Sequence, residues 1–343
     1  MEGNAMDMFE EGKAPEALEP TVVRHQWTFS RHAMACPFEV LMNAGQYVGG
    51  PEAALSALEL VGELEAKWSV FQEESELSRW NRLPEKLAME LTADTARLID
   101  AGLDLAEKTG GAFDITTGHL TKAWGFYRRE GRFPSQEQIE SAIQATGCQH
   151  LSWDSDKRKL SKQVALLEIN PGAIGKGMAL DLAAERFRRQ GMVDVFLHAG
   201  QSSALAMGQR QDGTGRKGWA VLLRHPYRKN EVLGEFHLQD QALGTSGAAQ
   251  QFFYFQGKRY GHILDPRTGM PAMHWQSVTV VAPTATQADG IATACFVMDP
   301  EELQRFALAN PEFGMVAVGH DSSRGPSPIH AYNLASDLWY PAR

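Results

Sequence analysis

Asn170-Pro-Gly-Ala-Ile-Gly-Lys-Gly-Met-Ala-Leu-Asp181 lies midway along the 343-residue chain and separates two differently patterned parts of it. Three glycines fall within six residues, a lysine stands between the last two, and an apolar periodic run follows at once. The stretch therefore predicts a turn opening a helix over about 174–190. Backbone N–H groups at a helix start point outward, the dipole favours an anion there, and glycine lets a ligand come close. Lys176 adds a point charge. The order is not that of a Walker A motif, G-x-x-x-x-G-K-[ST]. A Gly-rich strand-to-helix turn with no ligand accounts for the same pattern, and on this stretch alone both readings stand.

Working outward, 26–42 has strand character around a turn at Cys36-Pro37. Gly50–Trp68 carries Ala54, Leu58, Val61 and Leu64 at helical spacing. A second helix is expected over 92–109, capped by Thr92 or Asp94 and stopped by Gly110-Gly111, and a shorter one over 135–146 capped by Ser135. The stretch 148–169 reads as strands joined by a polar turn at 154–159. Beyond the central helix the pattern turns to strands near 195–198, 204–207, 219–223, 234–238 and 251–255. Ser277–Ala282, helices near 288–297 and 300–310, and strands near 315–318 and 331–333 complete it. Helices and strands intermix without regular alternation, which favours α+β over a doubly wound parallel sheet. Residues 1–21 read as a flexible polar tail and 22–343 as a single domain.

The net charge of −9 leaves no basic field for nucleic acid. No run approaches the ~18 apolar residues of a membrane span. The start lacks the basic-then-apolar layout of a secretory signal, so the chain as given reads as cytoplasmic. Removal of a leader would place it in the bacterial periplasm or at the inner-membrane surface. Cys36, Cys148 and Cys295 are scattered without C-x-x-C pairing, which argues against a disulfide framework or a zinc site. Each is expected as a small buried apolar residue.

Three further stretches carry possible chemistry. In Tyr260-Gly-His-Ile-Leu-Asp-Pro-Arg-Thr-Gly-Met-Pro271, a strand over 260–264 leads into a tight Asp265-Pro266 turn. His262 beside that turn suits a general base or a ligand hydrogen bond, although a satisfied surface histidine fits equally. In Ala288-Asp-Gly-Ile-Ala-Thr293, Asp289 and Thr293 share one helix face as hard oxygen donors of the kind magnesium takes. From spacing alone, helix capping by Asp289 with a solvent-facing Thr293 takes precedence. Thr109-Gly-Gly-Ala-Phe-Asp-Ile-Thr-Thr-Gly118 could present Phe113 and Asp114 to a flat ligand, but a helix stop and loop is the simpler reading.

Together and in order, these stretches resemble the ApbE family, the FAD:protein FMN transferases. The resemblance runs through Met34-Ala-Cys-Pro-Phe38, Phe71, Ser75-Glu-Leu-Ser-Arg-Trp-Asn81, Gly111-Ala-Phe-Asp-Ile-Thr116, Gly172-Ala-Ile-Gly-Lys-Gly177, Asp181 and Thr245-Ser-Gly247. It continues through His262-Ile-Leu-Asp-Pro-Arg-Thr-Gly269, Ser277-Val-Thr-Val280 and Ala288-Asp289 to Thr293. It implies an ApbE-type, T-fold-like α+β fold of mixed helices and antiparallel strands in two intimate lobes, with FAD in the cleft between them. It further implies magnesium-dependent transfer of FMN from FAD to a Ser or Thr hydroxyl of an acceptor protein, a subunit of a redox membrane complex, with release of AMP. Hydrolysis of FAD to FMN and AMP, or FAD binding with weak turnover, are the alternatives. Carried over by residue, the metal falls to Asp289, Thr293 and the Ala173 carbonyl. FAD falls to Met34, Phe71, Ala112, Phe113, Asp114, Asn170, Lys176, Asp181, His262 and Ile263. His262 becomes the group that activates the acceptor hydroxyl, with Asp289 the second catalytic residue.

Two positions depart from the family pattern. Asn170-Pro171-Gly172-Ala173 stands where the family usually has Asp-Leu-Gly-Gly. Ala199-Gly200-Gln201-Ser202-Ser203 stands where it carries Gly-Gly and then an acid. Both changes remove negative charge and leave the metal side chains intact.

Overall fold

Strand after strand in the second half of the chain is buried on both faces: Ser203–Met207, Ser277–Ala282 and Gly314–Val318 expose no residue. A strand whose two faces are both covered needs a layer on either side. In the computed structural model, which describes residues 26–128, 130–211, 217–228, 230–249, 251–321 and 327–342, both layers are present. The expected tail at 1–21 lies outside the described residues.

The central layer is an eight-stranded sheet in the order Gln26–Ala33, Cys36–Asn43, Val195–Ala199, Ser203–Met207, Gln241–Gly247, Ser277–Ala282, Gly314–Val318 and Ile329–Tyr332. Every neighbouring pair is antiparallel. Side chains alternate between faces with the two-residue period of a strand. Val195, Leu197, Leu205, Val278, Val280 and Met315 enter the main core, where the helices Gly50–Trp68, Gly175–Arg189 and Ala285–Val297 pack on that face. Phe196, Ala204, Ala206, Leu243, Val281 and Val316 enter a second core. A three-stranded sheet of Trp219–Arg224, Val232–Leu238 and Trp339–Pro341 closes that side, with Trp219 stacked 5.5 Å from Phe196.

A further part of the fold, sharing the main core through Leu77, Trp80, Leu98 and Leu160, contains Met89–Glu90, Leu151–Asp154 and Lys159–Lys162 as a small sheet, with the helices Glu76–Asn81, Ala93–Lys108, Gly118–Ala123 and Gln136–Gln144. A third cluster, around Leu120, Trp124, Phe126, Ile139 and Leu264, joins it to the Phe252–Phe255/Lys258–Gly261 hairpin. The α+β expectation holds, with mixed helices and antiparallel sheets.

Three local expectations need correction. The first hairpin turns at Met34-Ala35, not at Cys36-Pro37. Both turn residues have positive φ, 49° and 63°, and Ala33 pairs with Cys36, the geometry of a two-residue hairpin whose twist suits its strands. The strand before the Asp265 turn ends at Gly261, so His262 follows it instead of sitting on its face. Cys295 is fully buried, but Cys36 and Cys148 are only half-buried.

Gln241–Gly247, at the centre of the sheet, does not look like a strand in sequence. Its glycine at 244 is imposed from outside: a Cβ there would fall on the backbone of Ala288 and Asp289 in the neighbouring helix. Gly244→Ala is therefore expected to cost about 1–3 kcal/mol, the usual range for overpacking a close contact. Urea unfolding checks this, and an unchanged midpoint would mean that strand and helix can separate freely.

Candidate active site

The Gly175–Arg189 and Ala285–Val297 helices meet start to start, and each lends the other a carboxylate. Asp181, nearly two turns into the first, accepts the Ala285 and Thr286 N–H groups at 2.9 Å each and the Thr286 hydroxyl. Asp289, one turn into the second, accepts the Gly177 N–H at 2.9 Å through Oδ2. Free N–H groups at a helix start need such partners. Gly177 has to be glycine, because a Cβ would collide with the Ala285 carbonyl. Asp289 is therefore not a cap of its own helix; Thr284 is, through its bond from the Gln287 N–H.

Asp289 is buried, and a second donor, Ser203 Oγ, reaches the same Oδ2 at 3.0 Å. Among the described residues no hydrogen bond goes to Oδ1. Thr293 is half-buried, not solvent-facing. Its hydroxyl donates to the Asp289 carbonyl at 3.0 Å and lies 3.1 Å from Ser246 Oγ. Ala173 lies in the short 3₁₀ turn Pro171–Ala173 that leads into the first helix.

Burial raises the Asp289 carboxyl to about 6, against the nearby Lys176 charge, which pulls it down. Burial likewise raises Asp181, against its bonds from Thr286 and Ala285. The same lysine charge acts on His262 and on Cys36. Burial lowers His262, with Lys176 adding to that and the bond to the Gln251 carbonyl opposing it. Burial raises the Cys36 thiol, with Lys176 opposing. The Lys176 charge is thus felt by Asp289, His262 and Cys36 alike. His262 Nδ1 lies 3.2 Å from the Gln251 carbonyl, so Nδ1 carries the proton and Nε2 is left as acceptor.

A carboxyl that ionises near 6 when folded and near 3.8 otherwise binds its proton more tightly in the folded protein. Its contribution to stability falls as pH rises from about 4 through 6, and the loss is complete above that, by at most about 3 kcal/mol. In EDTA, the thermal stability of the wild type relative to Asp289→Asn is expected to decline over that window. A pH-independent difference would mean the carboxylate is not buried at a cost.

The remaining residues predicted to touch FAD have the following surroundings. Phe71 and Asn170 line a cavity of about 230 Å³ with Arg82, Lys122, Tyr127 and Glu168. There Phe71, 68% exposed, stacks 4.8 Å from Tyr127. Asn170 accepts the Gly172 N–H at 3.0 Å, a bond a carboxylate at this position could also accept, so the amide keeps the turn and loses only the charge. Ala112 and Phe113 have their side chains in the main core. The Asp114 carboxylate takes the Thr116 N–H at 2.7 Å, the Thr116 hydroxyl at 2.6 Å and the Cys148 N–H at 3.0 Å. Met34 occupies the hairpin turn and gives its N–H to Glu65, and Ile263 packs against the main core.

No group of three or more His, Cys, Asp or Glu side chains suited to a metal occurs among the described residues. What the site offers is carboxylate, hydroxyl and carbonyl oxygen, with Asp289 Oδ1 unpaired in a buried setting that disfavours its charge. That donor set fits magnesium and not zinc. Sequence reading missed Ser203 and Ser246, whose hydroxyls touch Asp289 and Thr293. Ser203 lay in a stretch noted only for its missing acid, and Ser246 in a motif without a role.

A buried carboxylate with one free oxygen, two hydroxyls, the Lys176 charge and a proton-accepting histidine nitrogen are the chemistry the candidate site offers. The ApbE family profile matches residues 34–316. The chain is 30% identical over 259 residues to the FAD:protein FMN transferase of Haemophilus influenzae, covering 73% of this chain and 74% of that one. It is 32% identical over 240 residues to the Escherichia coli enzyme of the same name, covering 68% and 67%. The flavin transferase ApbE from Vibrio cholerae superposes with a TM-score of 0.79 at 26% identity, covering 90% of this chain and 97% of the other. The ApbE protein of Thermotoga maritima gives 0.79 at 29%, with the same coverage. This chain belongs to the ApbE family.

Proposed function

We propose that this protein transfers FMN from FAD to a Ser or Thr hydroxyl of an acceptor protein, with magnesium held by Asp289, Thr293 and the Ala173 carbonyl. The observation that carries the reading is the clasp of the two helix starts. It leaves Asp289 Oδ1 without a hydrogen-bond donor among the described residues, within reach of the Lys176 charge, in a chain of this family. Magnesium, when bound, offsets pyrophosphate charge as it builds on the leaving group. Lys176 adds a fixed positive charge at the same place. Phe71, stacked on Tyr127, offers an exposed ring face for a flat ligand.

His262, neutral and with Nε2 as acceptor, takes the proton from the acceptor hydroxyl. That oxygen bonds to the FMN phosphorus as the bond from this phosphorus to the bridging oxygen breaks. AMP departs with the bridging oxygen and its electron pair. Incubation with FAD and Mg²⁺, with and without an acceptor protein, tests the reading by chromatography of AMP and FMN. AMP that appears only with acceptor and is abolished by EDTA supports it. Equal AMP and free FMN without acceptor would make the protein an FAD hydrolase instead.

A further inference from the structure

We propose that Ser203 and Ser246 are positioning residues for the magnesium ligands, each hydroxyl fixing one of the two side-chain oxygens that meet the ion. The inference rests on the assignment of that ion to Asp289 and Thr293. Ser203 begins the Ser203–Met207 strand and is buried; its hydroxyl donates to Asp289 Oδ2 at 3.0 Å. With the Gly177 N–H on the same oxygen, the carboxylate is held from one side by two donors. Its rotation is fixed and Oδ1 is directed away from both.

Ser246 does the corresponding work at Thr293. The threonine gives its only proton to the Asp289 carbonyl, so in the 3.1 Å contact Ser246 is the donor. One threonine lone pair is thereby filled and one remains.

The spacing explains why two adjacent strands serve the two ligands. Gly244 brings the Gln241–Gly247 strand against Ala288 and Asp289 at backbone distance. Two residues further, on the same strand face, stands Ser246. Four residues beyond Asp289, on the same helix face, stands Thr293. The strand advances ~6.8 Å over its two steps and the helix ~6 Å over its four, so glycine meets aspartate and serine meets threonine in register. The Gly244↔Ser203 pairing places the second serine on the adjacent strand at the level of Asp289. Magnesium demands near-octahedral geometry at about 2.0–2.1 Å and tolerates little ligand motion, so fixing both oxygens in advance raises affinity.

The test is the affinity of Mn²⁺, as a paramagnetic probe for the site, measured by EPR titration on the full chain with FAD bound. FAD affinity in EDTA is measured alongside, on Ser203→Ala, Ser246→Ala and Asp289→Ala. Loss of a ligand's outer partner is expected to weaken Mn²⁺ by about 10–100-fold in each serine variant. FAD affinity in EDTA is expected to stay within about twofold, and Ser246→Thr, which keeps the hydroxyl, to restore metal binding. Ser203→Cys preserves volume and provides a second variant should Ser203→Ala fold poorly; its weak donor predicts the same loss. Unchanged Mn²⁺ affinity in the serine variants, with binding abolished in Asp289→Ala, would overturn the positioning role alone. Unchanged affinity in all of them would overturn the metal assignment. A parallel fall in Mn²⁺ and metal-free FAD affinity would reduce the serines to packing.

Discussion

Asp289→Ala is expected to reduce AMP release from FAD by at least about 10³-fold. A cation at a phosphoryl oxygen contributes several kcal/mol to the transition state, and each ~1.4 kcal/mol is a factor of ten. The substitution has a second consequence. Gly177 N–H and Ser203 Oγ lose their common acceptor, and unpaired buried donors cost about 1–3 kcal/mol each. Against that, the protein no longer confines a carboxylate whose burial pushes it up to about 6. Asp289→Asn separates the two effects, because it can keep an oxygen for the donors and lose the charge. The folded state should survive in the asparagine variant while activity still falls. Cleavage at the wild-type rate in either variant would remove Asp289 from the metal site.

His262→Ala is the second large effect, expected at about 10²–10⁴-fold in the rate of acceptor modification, the range for loss of a general base. The pH profile distinguishes a base from a contact residue. Burial holds the imidazole below its ordinary value of 6.5, and Lys176 pushes the same way. The neutral, proton-accepting form therefore persists below pH 6.5, and the acid limb of kcat/KM in the wild type should lie under that value. In the alanine variant that limb should vanish. Retention of the limb in His262→Ala would assign it to another group.

Much of the site was legible because its parts are local. A glycine run opening a helix, an Asp and a Thr four residues apart, and a histidine before an Asp-Pro turn each announce themselves within a few residues. What sequence could not convey is the clasp between elements about a hundred residues apart. Asp181 reads as a candidate ligand contact, yet both its oxygens bond to the start of the Ala285–Val297 helix. Asp289 reads as a cap, yet its partners come from another helix and from a strand. The central strand Gln241–Gly247 was hidden because its glycines, serine and threonine serve close packing and hydrogen bonding, not strand propensity. The antiparallel character of the whole sheet was likewise non-local, since strands near 40 and 195 become neighbours. By contrast, the cap expected at Ser135 is present, and Gln138 completes it as a capping box.

The most direct test of FMN transfer is the intact mass of a hydroxyl-bearing acceptor protein after incubation with this protein, FAD and Mg²⁺, measured after denaturation. The expected result is a gain of one FMN phosphoryl unit, absent in EDTA and absent when the acceptor Ser or Thr is replaced by Ala. Accumulation of free FMN with the acceptor mass unchanged would contradict it.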